Sequence, residues 1–303
     1  MLEFKHNIFE VIFMKSGKID LYSYFNIPRP EGAKGYLEYC LHGYSKYYPT
    51  RKRPALIVAA GGGYSGICER EGEPVAAAYL GLGYNVFNFI YSVAPVRFPA
   101  QLIEGAMAVA YIKKNAEELG VLKECVGMVG FSAAGHLSGM MGNLFDRPEV
   151  VEALKEDACL ARPDAIVMGY PVVIAGGEFE NKETITNLSG GDEAIKNIIS
   201  LEKRVTKNSS PAFIWGTVND NLVMSENFIA MAIAYKKANV PFEFHLFESG
   251  PHGLAIATRN STAIYGRVED STVEDYVNPV VGRWFDMSIS WFERHGFEIK
   301  DFD

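Results

Sequence analysis

The sequence predicts an α/β architecture: a mostly parallel sheet with helices on both faces. Two observations carry this. Short apolar runs of strand length recur along the 303 residues. Between them lie stretches whose apolar residues fall at helical spacing. No internal repeat or low-complexity tract breaks the rhythm, so one domain over 1–303 is expected.

Two short strands are expected first, near 8–13 and 19–25, from Ile8, Val11, Ile12, Ile19, Leu21, Tyr22 and Tyr24. A loop with Pro28, Pro30, Gly32 and Gly35 follows. Residues 35–53, rich in tyrosine and basic side chains, carry no assignment. From there the alternation is regular. A strand at 55–59 leads to a helix at 73–80, a strand at 85–89 and a helix at 99–119. A buried strand at 125–129 leads to a helix ending near 145. Strands at 165–168 and 212–215, a helix at 225–238 and a strand at 242–247 come next. A final helix near 282–294 offers Trp284, Phe285, Ile289 and Trp291 as its apolar side. Residues 171–210 break the pattern and read as an insertion. It is either a small cap over the site or an ordinary surface excursion.

Composition excludes several classes. Hydrophobic residues make up 48%, and 29 basic against 37 acidic residues leave a net charge of −8. No block of basic residues occurs, so no nucleic-acid partner is expected. No run of 18 apolar residues occurs, so no membrane partner is expected. The N-terminus lacks the apolar stretch of a signal peptide. Cys40, Cys68, Cys125 and Cys159 form no C-x-x-C pair. Reduced thiols and a cytoplasmic location are expected.

Gly130-Phe131-Ser132-Ala133-Ala134-Gly135-His136 carries the chemistry. It follows an apolar strand and opens a helix with Leu137, Met140, Met141 and Leu144 on one side. A serine at such a turn, among small residues, is how a nucleophile elbow is written. Ala134 stands where that pattern has its last glycine. The alternative is a turn whose serine only caps the helix.

A serine nucleophile needs a base, and the base an orienting carboxylate. Of six histidines, His6 and His42 precede the alternation, His245 lies inside a strand and His295 follows the last helix. His136 shares the elbow helix, where packing or hydrogen bonding is expected. His252 lies in Gly250-Pro251-His252-Gly253, just past the last strand, where a base could meet Ser132. Asp220 similarly follows the 212–215 strand. Asp164 precedes its strand, Asp192 sits in the insertion and Asp286 lies beyond the histidine. Gly61-Gly62-Gly63 follows the 55–59 strand. The amides of Gly62, Gly63 and Ala133 are the expected oxyanion donors. No Lys-Ser or Lys-Thr follows the glycines, which disfavours a phosphate loop. Tyr64, Phe98, Tyr170 and Val173, close in sequence to strand ends, are the expected substrate contacts, with core or rim packing as the alternative.

The order Ser132, Asp220, His252 is that of α/β-hydrolases. Further stretches are Glu69-Arg70-Glu71-Gly72-Glu73-Pro74-Val75-Ala76, Tyr91-Ser92-Val93-Ala94-Pro95, Phe98-Pro99-Ala100, Arg162-Pro163-Asp164-Ala165 and Tyr170-Pro171-Val172. With Asn219-Asp220-Asn221-Leu222-Val223 and His252-Gly253, they make residues 54–256 resemble the bacterial BD-FAE-like and acetyl-esterase-like group. Tyr91-Ser92 departs from the Tyr-Arg of many relatives. The resemblance implies an α/β-hydrolase fold and a serine carboxylesterase. The expected partner is a small-molecule ester such as an acetylated sugar. No cofactor and no metal are expected, and a homo-oligomer is compatible with the sequence. An amidase, formamidase or small-peptide hydrolase would use the same triad. A non-catalytic binding protein on this fold is the reading from another class.

Overall fold

The computed structural model describes residues 14–43, 51–262 and 273–300. Among them, eight strands form one sheet in the order β1-β2-β4-β3-β5-β6-β7-β8. They are β1 (Met14–Asp20), β2 (Tyr36–His42), β3 (Arg53–Ala59), β4 (Asn85–Ile90), β5 (Val121–Phe131), β6 (Ala165–Gly169), β7 (Ala212–Thr217) and β8 (Phe242–Phe247). From β4 to β8 all pairings are parallel. β1 and β2 add an antiparallel edge. The predicted α/β class with a mostly parallel sheet is therefore what the chain forms.

Buried strands need no alternation, and β3, β5 and β6 show none. Leu56, Ile57, Val58, Val126, Met128, Val129, Ile166 and Val167 are all fully buried. Helices α2 (Glu73–Gly81), α3 (Ala100–Lys114), α4 (Ala133–Leu144), α8 (Glu226–Ala238) and α9 (Trp284–Arg294) surround the sheet, and a short α5 (Pro148–Leu154) packs beside α3. The helix expected at 99–119 ends at Lys114, where Asn115 caps it. The elbow strand begins at Val121, four residues before its expected start. Among the described residues, no helix is long and apolar enough to cross a membrane.

The two opening strands need correction. The one expected at 8–13 lies outside the described residues. The one expected at 19–25 splits: β1 ends at Asp20, and Leu21–Phe25 form a short helix, α1. The β-forming aromatics mislead because the caps decide. Asp20 accepts the N–H of Ser23 at 3.2 Å, and Asn26 closes the turn at φ 52°. Tyr22 then reaches the core and donates to the buried Glu104 at 2.9 Å. Ser92, the departure from Tyr-Arg, donates to the same carboxylate at 2.5 Å and accepts the N–H of Lys34 at 2.7 Å. It ties the N-terminal edge to the body.

The insertion at 171–210 holds helices α6 (Lys182–Ser189) and α7 (Glu193–Ile199). It packs onto loops at the sheet's carboxyl edge. Asn187 donates to the carbonyl of Gly63 at 2.8 Å, and Asn181 to that of Leu222 at 3.0 Å.

Candidate active site

Ser132 joins β5 to α4 in a conformation few L-residues adopt, φ 53° and ψ −120°. Neighbouring backbone holds it there. Its N–H donates to Gly169 at 3.0 Å, and its carbonyl accepts from His136 at 3.0 Å. The crowding explains which small residues the turn requires. A Cβ on Gly130 would lie 2.0 Å from the carbonyl oxygen of Ala134. One on Gly135 would lie 2.9 Å from Pro171 Cβ. Ala134 itself is fully buried with its methyl in place. The steric demand thus falls on positions 130 and 135, and alanine serves at 134.

Three loops from three strands meet at this turn. Ser132 Oγ lies 2.8 Å from His252 Nε2, and His252 Nδ1 lies 2.7 Å from Asp220 Oδ2. An ionised carboxylate only accepts, so Nδ1 carries the proton and Nε2 is free to accept from the hydroxyl. Asp220 Oδ1 accepts the N–H groups of Leu222 at 2.9 Å and Val223 at 2.8 Å, which fixes the carboxylate. Asn219 and Asn221 zip the two loops together, accepting from the N–H of Gly250 at 2.8 Å and His252 at 3.3 Å. Asp220 is 9% and Ser132 8% exposed, so both lie almost wholly inside the protein.

The glycine loop reaches the same point. A Cβ on Gly61 would lie 2.9 Å from Ser132 Cβ and 2.6 Å from the carbonyl oxygen of Phe131. Gly62 and Gly63 follow at φ 133° and 62°, conformations that favour glycine. Their N–H groups donate to no acceptor among the described residues. Ala133 opens α4, where a first-turn N–H has no intrahelical acceptor. All three N–H groups are thus without an acceptor among the described residues.

Three of the other candidates the sequence offers, Asp164, Asp192 and His136, are occupied elsewhere. Asp164 pairs with Lys113 at 2.8 Å, and Asp192 caps α7. His136 is fully buried. Its Nε2–H donates to the carbonyl of Ile199 at 2.8 Å, and Nδ1 accepts the Tyr64 hydroxyl at 3.0 Å. Burial pushes its pKa down from 6.5 to about 4, against the opposing pull of the Ile199 carbonyl. Between these values the unfolded chain binds a proton that the folded chain refuses. Stability from this group is complete above pH 6.5 and is lost as pH falls toward 4, by about 3 kcal/mol. Denaturant midpoints taken from pH 7 to pH 4 should fall less steeply in His136→Gln than in the parent. Equal slopes would remove His136 as a cause.

The expected substrate contacts need revision. Tyr64 is fully buried, its hydroxyl held by His136 and its ring edge-on to Tyr91. Tyr170 is buried between Glu71 and Ala255. Val173 is buried, with its N–H on Asn227 at 2.9 Å. Phe98 is nearly buried, with its N–H on Leu188. All four are buried packing residues, which is the alternative the sequence left open. Proximity to a strand end says nothing about the face a side chain takes. Glu71, whose carboxylate accepts the N–H of Gly61, and Trp284, whose indole donates to the carbonyl of Ala255, contact these loops and have no place among the sequence's site candidates. Glu71 stands inside a stretch that carries the family resemblance, which was the available signal.

The BD-FAE family model matches residues 43–233. The chain belongs to the BD-FAE family. It is 33% identical over 213 residues to endo-1,4-beta-xylanase B of Butyrivibrio fibrisolvens, covering 68% of this chain and 33% of that protein. It is 25% identical over 214 residues to acetylxylan esterase of Xylanibacter ruminicola, covering 67% and 42%. The chain thus spans less than half the length of these curated relatives. Among solved structures, it superposes on the acetyl ester-xyloside bifunctional hydrolase of Caldicellulosiruptor lactoaceticus with a TM-score of 0.75. That match has 29% identity and covers 93% of this chain and 97% of the other.

Proposed function

We propose that this BD-FAE protein is a serine carboxylesterase that removes small acyl groups, acetyl groups on sugars among them. The observation that carries the reading is the hydrogen-bonded line from Ser132 through His252 to Asp220, at 2.8 and 2.7 Å. Ser132 Oγ bonds to the ester carbonyl carbon while its proton passes to His252 Nε2. Asp220 holds the tautomer and stabilises the imidazolium. The N–H groups of Gly62, Gly63 and Ala133 receive the oxyanion. His252 then protonates the departing alcohol oxygen, leaving an acyl-enzyme. Water, deprotonated by His252, attacks that ester, and Ser132 recovers its proton as the acid leaves.

The acetyl-sugar assignment draws support from the names of the acetylxylan esterase and the acetyl ester-xyloside hydrolase. Four unpaired cysteines support a cytoplasmic location. Aryl esters of increasing acyl length, acetylated xylo-oligosaccharides and N-formyl amides should be compared on one preparation. Acetyl esters are expected to be hydrolysed fastest. Faster turnover of the formyl amides would replace the esterase reading with an amidase.

A further inference from the structure

We propose that Glu71 is a positioning residue that holds the oxyanion loop and the histidine loop against Ser132; this rests on the esterase reading above. Glu71 is buried, in a short turn ten residues past Gly61. Its Oε2 accepts the N–H of Gly61 at 2.8 Å, and its Oε1 accepts the hydroxyl of Tyr170 at 2.8 Å. That hydroxyl accepts the N–H of Ala255 at 3.0 Å, three residues past His252. The carbonyl of Ala255 accepts the indole N–H of Trp284 at 2.8 Å, so the loop is clamped from both sides. The Tyr170 ring meets the His252 imidazole edge-on, with centroids 4.8 Å apart.

One carboxylate is therefore tied to two loops, directly to Gly61 and through the Tyr170 hydroxyl to Ala255. On one side is the glycine loop, whose Gly61 sits so close to Ser132 that a side chain there would collide with it. On the other is the loop that carries the base. The chemistry asks for a carboxylate because two donors arrive at two oxygens. Glutamine offers one acceptor oxygen and turns the other position into a donor. Alanine offers none and strands both donors in a buried site. Neither loop has a second side-chain acceptor at these atoms among the described residues.

Glu71→Ala, Glu71→Gln and Tyr170→Phe should be compared with the parent. The readouts are kcat and KM on an aryl acetate, thermal melting, and the rate of Ser132 phosphonylation by an organophosphonate. Rates are normalised to phosphonate-titrated sites, so a lower folded fraction does not count as lower turnover. Glu71→Ala is expected to lose about 100-fold in kcat with KM within about threefold, the size of a lost oxyanion donor. Glu71→Gln should recover about tenfold of that, because Gly61 keeps an acceptor. Tyr170→Phe should fall about tenfold, and phosphonylation should slow in the same order. If Glu71→Ala fails to fold, the other two variants decide. Parental kcat per titrated site in both would overturn the role, as would a change in KM alone. A parent protein that neither hydrolyses esters nor takes the phosphonate would overturn the esterase reading, and this role with it.

Discussion

Ser132→Ala is expected to lower hydrolysis of a short-chain aryl acetate by roughly four to six orders of magnitude. The reason is chemical rather than structural. Alanine removes the only atom that can form the acyl-enzyme, while the backbone bonds to Gly169 and His136 that hold the elbow stay in place. The melting temperature should therefore change little. The residual rate would come from the amides of Gly62, Gly63 and Ala133, which can still polarise a bound carbonyl. A parental rate in this variant would end the assignment of Ser132 as nucleophile.

Asp220→Asn should cost about 10⁴-fold in kcat, and the hydrogen bonds say why so conservative a change is so damaging. One carboxylate oxygen accepts two backbone N–H groups, from Leu222 and Val223, and the other faces His252. An asparagine must direct its single oxygen at the two amides, since an NH₂ there would meet two donors. Its NH₂ then points at His252 Nδ1, which has to accept. The imidazole proton moves to Nε2, so Nε2 can no longer take a proton from Ser132. A pH–rate profile with a rate rising at high pH, where hydroxide can replace the base, would fit. A loss below tenfold would mean that Asp220 does not set the tautomer.

How much of this could be read from residue order varies by element. The central strands were legible because buried parallel strands are written as apolar runs, as 55–59 and 165–168 are. Ser132, Asp220 and His252 could be grouped because each lies in the loop after a predicted strand, and the fold brings those loops within hydrogen-bond reach. The short helix at Leu21–Phe25 was not legible, because one capping aspartate outweighed a run of β-forming aromatics. The roles of Tyr64 and Tyr170 were not legible either. Their partners, His136 and Glu71, stand 72 and 99 residues away in sequence. No local pattern encodes a pairing across such a distance.

The three-loop construction has a consequence for how the protein comes into being. Ser132 and His252 are 120 residues apart, and the clamp on Ala255 comes from Trp284, 29 residues after it. During synthesis the elbow emerges long before anything exists to deprotonate it. The central strands can pair and collapse while the hydroxyl stays chemically idle. Reactivity would switch on only after β8 has docked and the last helix has closed over the loop. Turnover would then report completion of the sheet's far edge, and a chain stalled or nicked before Trp284 would be folded in part and silent.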